Sequence, residues 1–307
     1  MTQQVFQSRY PILEACMNRG STVELAVAVH AAGGYPSLCS WTYNRHSQAM
    51  QQDLDRFVKL TNSNCIHLSF ELNEFDNQVV HDIVRSYSIP TIEIIYGNTN
   101  TFRPTDSDSE LEKTLLKLLG PLKEQGTKIF KRVYETMDQD TMDQHLLDGF
   151  CIKGLESAGF SSYTPVRETF LKQRELTPGA MLIPYGGVGT ADQVQDYIEL
   201  DAEIVAVGTV LALSAESTMA TETKLAAIQK QSQDLVQLTH DFGGVKRKQS
   251  ILKFGNYAGP DDANGTIGLV RGLNGKPNSH VYLGHGIDHV NEILSCQEII
   301  QRLVEKI

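Results

Sequence analysis

The sequence has few cysteines, no CxxC pair among them, and no long apolar run. Its five cysteines are an odd number and lie far apart, which excludes a disulfide framework and a structural zinc site and favours the cytoplasm. The most apolar window, 23–38, is interrupted by charged residues, glycines and a proline, so it cannot provide the about 20 apolar residues of a membrane span. No charged start followed by an apolar stretch opens the chain, so we expect no secretory signal.

Positive charge is also scarce. The 307 residues include 27 Lys+Arg against 37 Asp+Glu, which gives a formal net charge of −10. A nucleic-acid-binding protein needs a concentrated basic face, and this balance argues against one. Apolar residues are plentiful: 41% of the residues are hydrophobic and only 21% are charged. These proportions are typical of a globular protein with a sizeable core.

Short β-branched and aromatic runs alternate with helix-like stretches along most of the chain. The runs that predict strands are 12–16, 37–41, 65–72, 91–96, 128–134, 150–153, 181–185 and 204–207. Between them, Thr190 is expected to cap a helix, and a leucine-rich helix is expected to stop at Gly120-Pro121. Because parallel strands need crossover helices, this alternation predicts an α/β fold, a (β/α)8 TIM barrel, with an open doubly wound sheet as the alternative.

The pattern changes near residue 240. We expect residues 1–240 to form the barrel, and residues 241–307 to form a loop-rich, lid-like segment followed by a helix that packs back on it. The segment 242–286 is dense in Gly, Asn, Asp and Pro. Loops of this length in a compact protein are usually lids or binding segments.

Two glycine turns form the most informative local feature. A predicted strand runs into Tyr185-Gly-Gly-Val-Gly-Thr190, and Gly208-Thr209 follows the next strand, with Gly208 placed 21 residues after Gly187. This interval fits one helix and one strand, so both turns would lie on the same rim of a barrel. The loops after strands seven and eight commonly bind phosphate in such barrels. The spacing favours a phosphate site, and plain tight turns are the alternative.

Other familiar motifs are absent. There is no GxxxxGK[ST], HExxH or GxSxG, which excludes a P-loop and the simplest zinc-protease and hydrolase interpretations. In Gly187-Val-Gly-Thr-Ala-Asp192 an Asp stands where a dinucleotide fingerprint has its third glycine. His285 and His289 have a metal-like spacing, but no third ligand accompanies them, so no metal site is predicted.

Polar residues follow two other predicted strands. Lys153 and Glu156 stand where barrel enzymes place their working groups, although a plain ion pair between them is an equal alternative. Asn73 ends a buried strand, where an asparagine is often only a turn residue.

Taken together, these segments resemble the nitronate monooxygenase (2-nitropropane dioxygenase-like) family, which includes flavin-type enoyl-ACP reductases. The match begins at 11–17 and 31–34 and continues through 70–73 and the 128–133 strand. The match also includes Lys153-Gly-Leu-Glu-Ser-Ala-Gly159, both glycine turns, and Gly284-His-Gly286.

The resemblance implies an FMN-binding barrel. Gly186, Gly187, Gly208 and Thr209 would hold the FMN phosphate, and Met17 and Asn73 would border the isoalloxazine. Lys131 would lie near the N1/O2 edge of the flavin, where a cation stabilises the reduced anionic form. Lys128 and Arg132 are alternatives for that role.

Two departures from the family affect the chemistry. The family's loop histidine, which serves as a base in nitronate oxidation, is replaced by Phe160, and a glutamine is replaced by Lys153. A phenyl ring transfers no proton, and general-base help is worth ~10²–10⁴ in rate. The sequence therefore predicts an FMN oxidoreductase with an altered small-molecule substrate, in which Lys153, Glu156 and Phe160 serve the reaction. The alternatives are an NAD(P)H-dependent reductase of an enoyl thioester or quinone, and a non-catalytic flavin-binding scaffold. A homodimer is left open.

Overall fold

A computed structural model describes residues 5–44, 46–72, 76–95, 108–242, 245–257 and 266–307. Eight parallel strands form a nearly closed barrel, which confirms the predicted (β/α)8 fold. Strands are numbered in chain order. The barrel strands are β1 (Ile12–Glu14), β2 (Ser37–Cys39), β3 (His67–Glu71), β4 (Thr91–Ile95), β5 (Lys128–Val133), β6 (Gly149–Lys153), β8 (Met181–Tyr185) and β9 (Val205–Val207). A second sheet contains β7 (Gly159–Ser161), β10 (Val236–Phe242), β11 (Val245–Phe254) and β12 (Ser279–Val281).

The barrel closes between its first two strands. The strand order is β1-β9-β8-β6-β5-β4-β3-β2. Tyr35, just before β2, donates its N–H to the Ile12 carbonyl at 2.7 Å and accepts from the Glu14 N–H at 2.9 Å. Since these bonds join the two ends of the strand order, the sheet has the closed form that places all strand C-termini at one face.

Helices follow most of the strands, and the last helix ends the chain's ordered elements after β12. They are α1 (Val23–Ala31), α2 (Ser47–Thr61), α3 (Asn77–Ser86), α4 (Asp108–Glu124), α5 (Gln139–Gln144), α6 (Val166–Leu176), α7 (Ala191–Glu199), α8 (Thr209–Ala212), α9 (Thr221–Ala227), α10 (Thr266–Leu273) and α11 (Cys296–Leu303). The predicted cap is confirmed, since the Thr190 side chain accepts from the Gln193 N–H in a capping box. The predicted stop at Gly120-Pro121 is wrong, because α4 continues to Glu124. Buried Leu119 and Leu122 hold the last turn against the core and offset the hydrogen bond that Pro121 lacks.

Apolar side chains fill the barrel toward its amino-terminal end. Phe6 stands edge-on to Tyr35, with ring centroids 5.0 Å apart, and lies 5.7 Å from Phe130. Leu13 and Ile183 pack in the same inner cluster. Because packed rings fill this end, the open space among the described residues lies toward the carboxyl ends of the strands, where barrel enzymes carry their sites.

A second, antiparallel sheet lies beside the barrel. β10 and β11 form a hairpin, and β11 also pairs with β7 and with β12. The sequence pattern predicted neither this hairpin nor α10 within the segment 242–286. The hairpin begins at Val236, before the domain boundary expected at residue 240, and continues past it. The division of the chain into two parts at residue 240 stays a prediction. No helix within the described ranges combines the length and apolar character that crossing a membrane requires.

Candidate active site

A cavity of about 470 Å³ opens at the carboxyl ends of the barrel strands. Its volume is in the range of small-molecule and cofactor sites. The predicted site residues that line it are Met17, Lys153, Glu156, Phe160, Gly186, Gly187, Gly208 and Thr209. Asn73 lies outside the described residues. The structure thus brings together residues separated by up to 192 positions, and the two glycine turns lie on one rim as their spacing predicted.

The first glycine turn has a backbone that only glycine adopts without strain. Gly186 has φ +139° and Gly187 has φ +74°. A Cβ added at Gly186 would lie 2.6 Å from the Ser157 hydroxyl oxygen, and one added at Gly187 would lie 3.0 Å from the Glu156 Cβ. The turn is therefore pressed against the 156–157 loop on one side, and its exposed backbone forms a wall of the cavity.

The capping box of α7 uses the amides at the end of this turn. The Gln193 side-chain oxygen accepts from the N–H groups of Gly189, at 2.8 Å, and Thr190, at 3.2 Å. Since these two donors serve the helix itself, an anion at this rim would be held by amides earlier in the turn, at Gly186 and Gly187.

The second glycine turn is tied to the segment that follows the hairpin. The Thr209 hydroxyl accepts from the Gly284 N–H at 2.9 Å. A Cβ at Gly284 would lie 2.4 Å from the Glu156 carbonyl oxygen, so this glycine permits a close approach of two backbones. Consequently Gly284 joins the 156–158 loop to the Gly208 turn.

The cation that β5 directs into the cavity is Arg132. Arg132 lines the cavity, whereas Lys131 does not, because neighbouring strand residues point to opposite faces. Lys131 is buried on the outer face, where burial and the nearby Arg247 lower its pKa to about 7. The structure therefore does not bring Lys131 to the cavity, and of the alternatives on this strand it is Arg132 that lines it.

Arg132 is held in a buried ion pair. Its Nε and Nη2 donate to the two carboxylate oxygens of Glu93 at 2.8 and 2.6 Å, and both side chains are at most 2% exposed. Burial would raise the pKa of Glu93, but the guanidinium outweighs burial and the pKa lies below its ordinary value. The Arg132 Cζ also lies 5.8 Å from the ring centroids of Trp41 and Tyr185. These contacts fix the plane of the guanidinium.

Lys153 is not paired with Glu156. The Lys153 Nζ donates to the Ala158 carbonyl at 2.8 Å, while a carboxylate oxygen of Glu156 accepts from the Val166 N–H at 3.0 Å and so supports the start of α6. Burial and the nearby Arg132 lower the pKa of Lys153 to about 7. The ion-pair alternative is thus wrong, and Lys153 is an amine at the cavity wall that titrates near neutrality.

Phe160 lines the cavity from the short strand β7. Its ring stands edge-on to the imidazole of His240, with centroids 5.4 Å apart and planes at 81°. His240 belongs to β10 and reaches this place through the hairpin. The loop position at which Phe160 replaces the histidine of the resembling family therefore has a histidine next to it.

Several cavity residues escaped sequence analysis. Trp41 and Glu71 stand at the cavity, joined by a short hydrogen bond from the indole Nε1, and Gln249 and Tyr282 approach from the second sheet. Trp41 and Glu71 were within reach of sequence reasoning, because Trp41 is the last residue of the predicted strand 37–41 and Glu71 is the last but one of the predicted strand 65–72. No local signal marks Gln249 or Tyr282.

One buried cluster has metal-ligating side chains. Atoms of Cys16, His67 and Glu93 lie within 4.8 Å of one another. Both carboxylate oxygens of Glu93 already accept from Arg132, and a metal ion would face that guanidinium. Charge repulsion therefore disfavours a cation at this place.

Solved structures share this fold over nearly its whole length. FabK from Thermotoga maritima has a TM-score of 0.78 at 18% identity, and the match covers 98% of this chain and 93% of that one. Nitroalkane oxidase from Streptomyces ansochromogenes has a TM-score of 0.73 at 16% identity, with 97% and 96% covered. The enoyl reductase domain of MlnA from Bacillus amyloliquefaciens has a TM-score of 0.67 at 12% identity, with 98% and 94% covered.

These likenesses establish the fold. They agree with the resemblance noted in the sequence in that two of these neighbours are named as a nitroalkane oxidase and an enoyl reductase domain. Neither a family model nor a curated protein sequence matches the chain.

Proposed function

We propose that this protein is an FMN-dependent oxidoreductase of the nitronate monooxygenase type whose substrate is not a simple nitroalkane. The observation that carries the proposal is the pair of glycine turns, at Gly186-Gly187 and Gly208-Thr209, on one rim of the cavity. Flavin phosphates are bound in such barrels by the turns after the last two strands. The neighbours named as a nitroalkane oxidase and an enoyl reductase domain support a redox function.

The cavity fits an FMN. A Cβ at Gly186 or Gly187 would crowd the 156–157 loop, so the bare backbone is available to cradle a phosphate. Met17 lines the cavity beside Gly208, where a Cβ would lie 3.8 Å from the Met17 sulfur. Arg132 takes the role predicted for Lys131, as a fixed cation that would balance the charge of a reduced flavin. FMN, when bound, supplies hydride transfer.

Phe160 and Lys153 define the substrate side of the site. Phe160 offers an apolar face and no proton acceptor, so a neutral nitroalkane would find no base there. Lys153 carries a positive charge below about pH 7, which favours a substrate with an anionic group. Glu156 is engaged with α6 and serves as a positioning residue for the loop.

A second candidate is an NAD(P)H-dependent reductase of an enoyl thioester or quinone. The replacement of a catalytic histidine by Phe160 favours it, because delivery of a hydride to such an acceptor depends less on a side-chain base. The third alternative, a scaffold that binds flavin without chemistry, predicts flavin binding with no reaction toward any reductant or oxidant.

The proposal is tested by the visible spectrum of the purified protein, before and after reconstitution with FMN. Flavin absorbance is expected, and its absence after reconstitution would contradict the proposal. Anaerobic addition of NADH or NADPH then separates the alternatives, because bleaching indicates the reductase. Oxygen uptake with the neutral nitroalkane 2-nitropropane is expected to be slow, and rapid uptake would contradict the role given to Phe160.

A further inference from the structure

The charged side chains of the cavity wall differ in whether another part of the protein engages them. Within the described ranges, those that line the cavity are Arg19, Glu71, Arg132, Lys153 and Glu156. The last four each make a side-chain hydrogen bond to another protein group. For Arg19 it is the backbone that is engaged, since its N–H donates to the Thr42 hydroxyl at 3.0 Å. Its guanidinium, which is always charged, has no protein partner among the described residues.

The turn that carries Arg19 is fixed from several sides. The Met17 N–H donates to the Ser21 hydroxyl at 2.9 Å, and the Ser21 N–H donates to the Met17 carbonyl at 2.9 Å. Arg19 itself has φ +57°, a left-handed conformation that a non-glycine residue keeps only where its surroundings hold it. Because Thr42 accepts from its N–H, the Arg19 side chain starts from a fixed point between the ends of β1 and β2.

Two side-chain amides accompany this guanidinium. Asn18 and Asn44 line the cavity from the same two loops as Arg19 and Thr42. In the described part of the chain, the Nε of Arg19 and the Oδ1 of Asn18 are buried without hydrogen-bond partners. A ligand in the cavity would therefore reach Arg19 at its terminal nitrogens and Asn18 at its NH2 group, and all of these are donors. This edge of the cavity is suited to an oxyanion.

A second cation stands at a separate place on the rim. Lys153 ends β6, and in the strand order β9 and β8 lie between β1 and β6. The Lys153 Nζ donates to the Ala158 carbonyl at 2.8 Å, and an ammonium has three hydrogens, so two remain for a ligand. The glycine turns at Gly186-Gly187 and Gly208 follow β8 and β9, so they lie between the two cations.

We propose that Arg19 and Lys153 bind the two carboxylates of one short dicarboxylate, with Asn18 and Asn44 as further donors at the Arg19 end. This inference rests on the proposed function and names its substrate class. A guanidinium makes two parallel N–H bonds to the oxygens of a planar carboxylate, and an ammonium binds the second carboxylate as a compact charge. Because the cavity of about 470 Å³ would also hold the flavin, the room that is left favours a short ligand.

The other charges of the wall limit the ligand to two anionic groups. Arg132 already donates to both carboxylate oxygens of Glu93. Glu71 and Glu156 are carboxylates themselves and would repel a further anion. A monocarboxylate would leave one of the two cations without a partner, so the site is expected to prefer the diacid.

The test compares succinate with butyrate, which has the same four carbons and only one carboxylate. Binding to the flavin-loaded protein is measured at pH 6 by isothermal titration calorimetry, which needs no turnover. We expect succinate, or glutarate with one carbon more, to bind in a 1:1 ratio and about 10-fold more tightly than butyrate. Equal affinities for both diacids and the monoacid would overturn the inference.

Substitution of Arg19 is expected to remove this preference. Arg19→Met should bind the preferred diacid about 10-fold more weakly, with an affinity close to that of butyrate. Arg85→Met is the matched control, because Arg85 is exposed on α3 and lies outside the cavity lining. If Arg19→Met fails to load flavin, Arg19→Gly replaces it, since glycine adopts the left-handed backbone without strain. Native affinity for the diacid in the flavin-loaded variant would overturn the inference.

The double variant shows whether one molecule contacts both cations. Arg19→Met and Lys153→Met are each expected to keep the binding of one carboxylate, and the double variant is expected to bind neither succinate nor butyrate. If Lys153→Met keeps the native preference for the diacid, Lys153 does not bind the second carboxylate and the inference is wrong.

The flavin phosphate is the other oxyanion that an unpaired guanidinium at this cavity would attract. Riboflavin lacks that phosphate, so fluorescence titrations of Arg19→Met with FMN and with riboflavin distinguish the two ligands. We expect the native affinity for both. Weakened binding of FMN with unchanged binding of riboflavin would assign Arg19 to the phosphate and overturn the inference. A native protein that binds no flavin contradicts the proposed function, whereas one that holds flavin without preferring a diacid contradicts this inference alone.

Discussion

Arg132 on β5 donates through two nitrogens to both carboxylate oxygens of Glu93 on β4, and of the two residues Arg132 lines the cavity. Both side chains are buried. A buried ion pair adds little net stability, because the loss of hydration offsets the attraction, but the loss of one partner is costly. The pair is therefore best understood as a device that holds the Arg132 guanidinium in one position.

Substitution of Arg132 is expected to lower both the stability of the fold and the amount of bound flavin. Arg132→Met leaves Glu93 buried without its partner, so we expect the free energy of unfolding to fall by about 3–5 kcal/mol and flavin content to drop. Lys131→Met is the matched control, because Lys131 lies on the outer face, and it is expected to keep its flavin. Urea unfolding and the flavin-to-protein absorbance ratio measure both effects. Full flavin content in a folded Arg132→Met protein would contradict the role of Arg132.

The first glycine turn is expected to tolerate no side chain. In Gly187→Ala the backbone must keep φ +74° and place a Cβ 3.0 Å from the Glu156 Cβ. The left-handed region alone costs a non-glycine residue about 1–2 kcal/mol, so we expect flavin to bind at least ~10-fold more weakly. Gly179→Ala, where a Cβ meets nothing within 4 Å, serves as the control. Equal flavin affinity for both variants, by fluorescence titration, would count against a phosphate site at this turn.

Lys153 is expected to make the binding of anions depend on pH. Its pKa is lowered to about 7 by burial and by Arg132, so the amine is charged below pH 7 and neutral above it. The affinity for 3-nitropropionate is therefore expected to fall by about 10-fold between pH 6 and pH 8. In Lys153→Met the affinity should be low at both values, whereas the exposed Lys172→Met should behave as the native protein. A native pH profile in Lys153→Met would exclude this role.

Phe160→His restores the side chain found in the resembling family. An imidazole at this place would accept a proton from a nitroalkane, so we expect oxygen uptake with 2-nitropropane to rise about 10²-fold. Phe160→Leu, which restores no base, is expected to remain slow. If both variants match the native rate, the absence of the histidine does not explain the altered chemistry.

Glu14 is expected to make stability fall as pH rises. Burial raises its pKa to about 8 from an ordinary 4.5, against hydrogen bonds from Ser37 and Ser21 that lower it. Between these values the folded state holds a proton that the unfolded state has lost, so the contribution of Glu14 is present below about pH 4.5 and is lost toward pH 8. Its slope is up to about 1.4 kcal/mol per pH unit.

Glu14→Gln is expected to remove this slope. Urea unfolding of the variant and the native protein at pH 5, 6.5 and 8 should show a difference in stability that grows in favour of the variant as pH rises. A difference that stays constant across the three values would show that Glu14 does not hold its proton in the folded state.

Much of the fold was predictable because its signals are local. Each barrel strand is a short apolar run bounded by turn residues, and Thr190 with Gln193 forms its capping box within four residues. The helix stop at Gly120-Pro121 was wrong because packing of Leu119 and Leu122 outweighs the local effect of a proline. The choice between Lys131 and Arg132 also lay beyond the sequence, since a shift of one residue moves a strand side chain to the opposite face.

The amino-acid sequence by itself determined the barrel, the rim that carries the two glycine turns, and the absence of a base at Phe160. These features depend on periodicity and on residue types close together in the chain. Only the tertiary structure decided which polar groups stand beside Phe160. The hydrogen bond between Gln249 and Tyr282 joins residues 33 positions apart, and the strand pairing of Gln249 with Phe160 spans a still longer stretch of chain. Such contacts arise from the packing of a whole sheet, which no local pattern encodes.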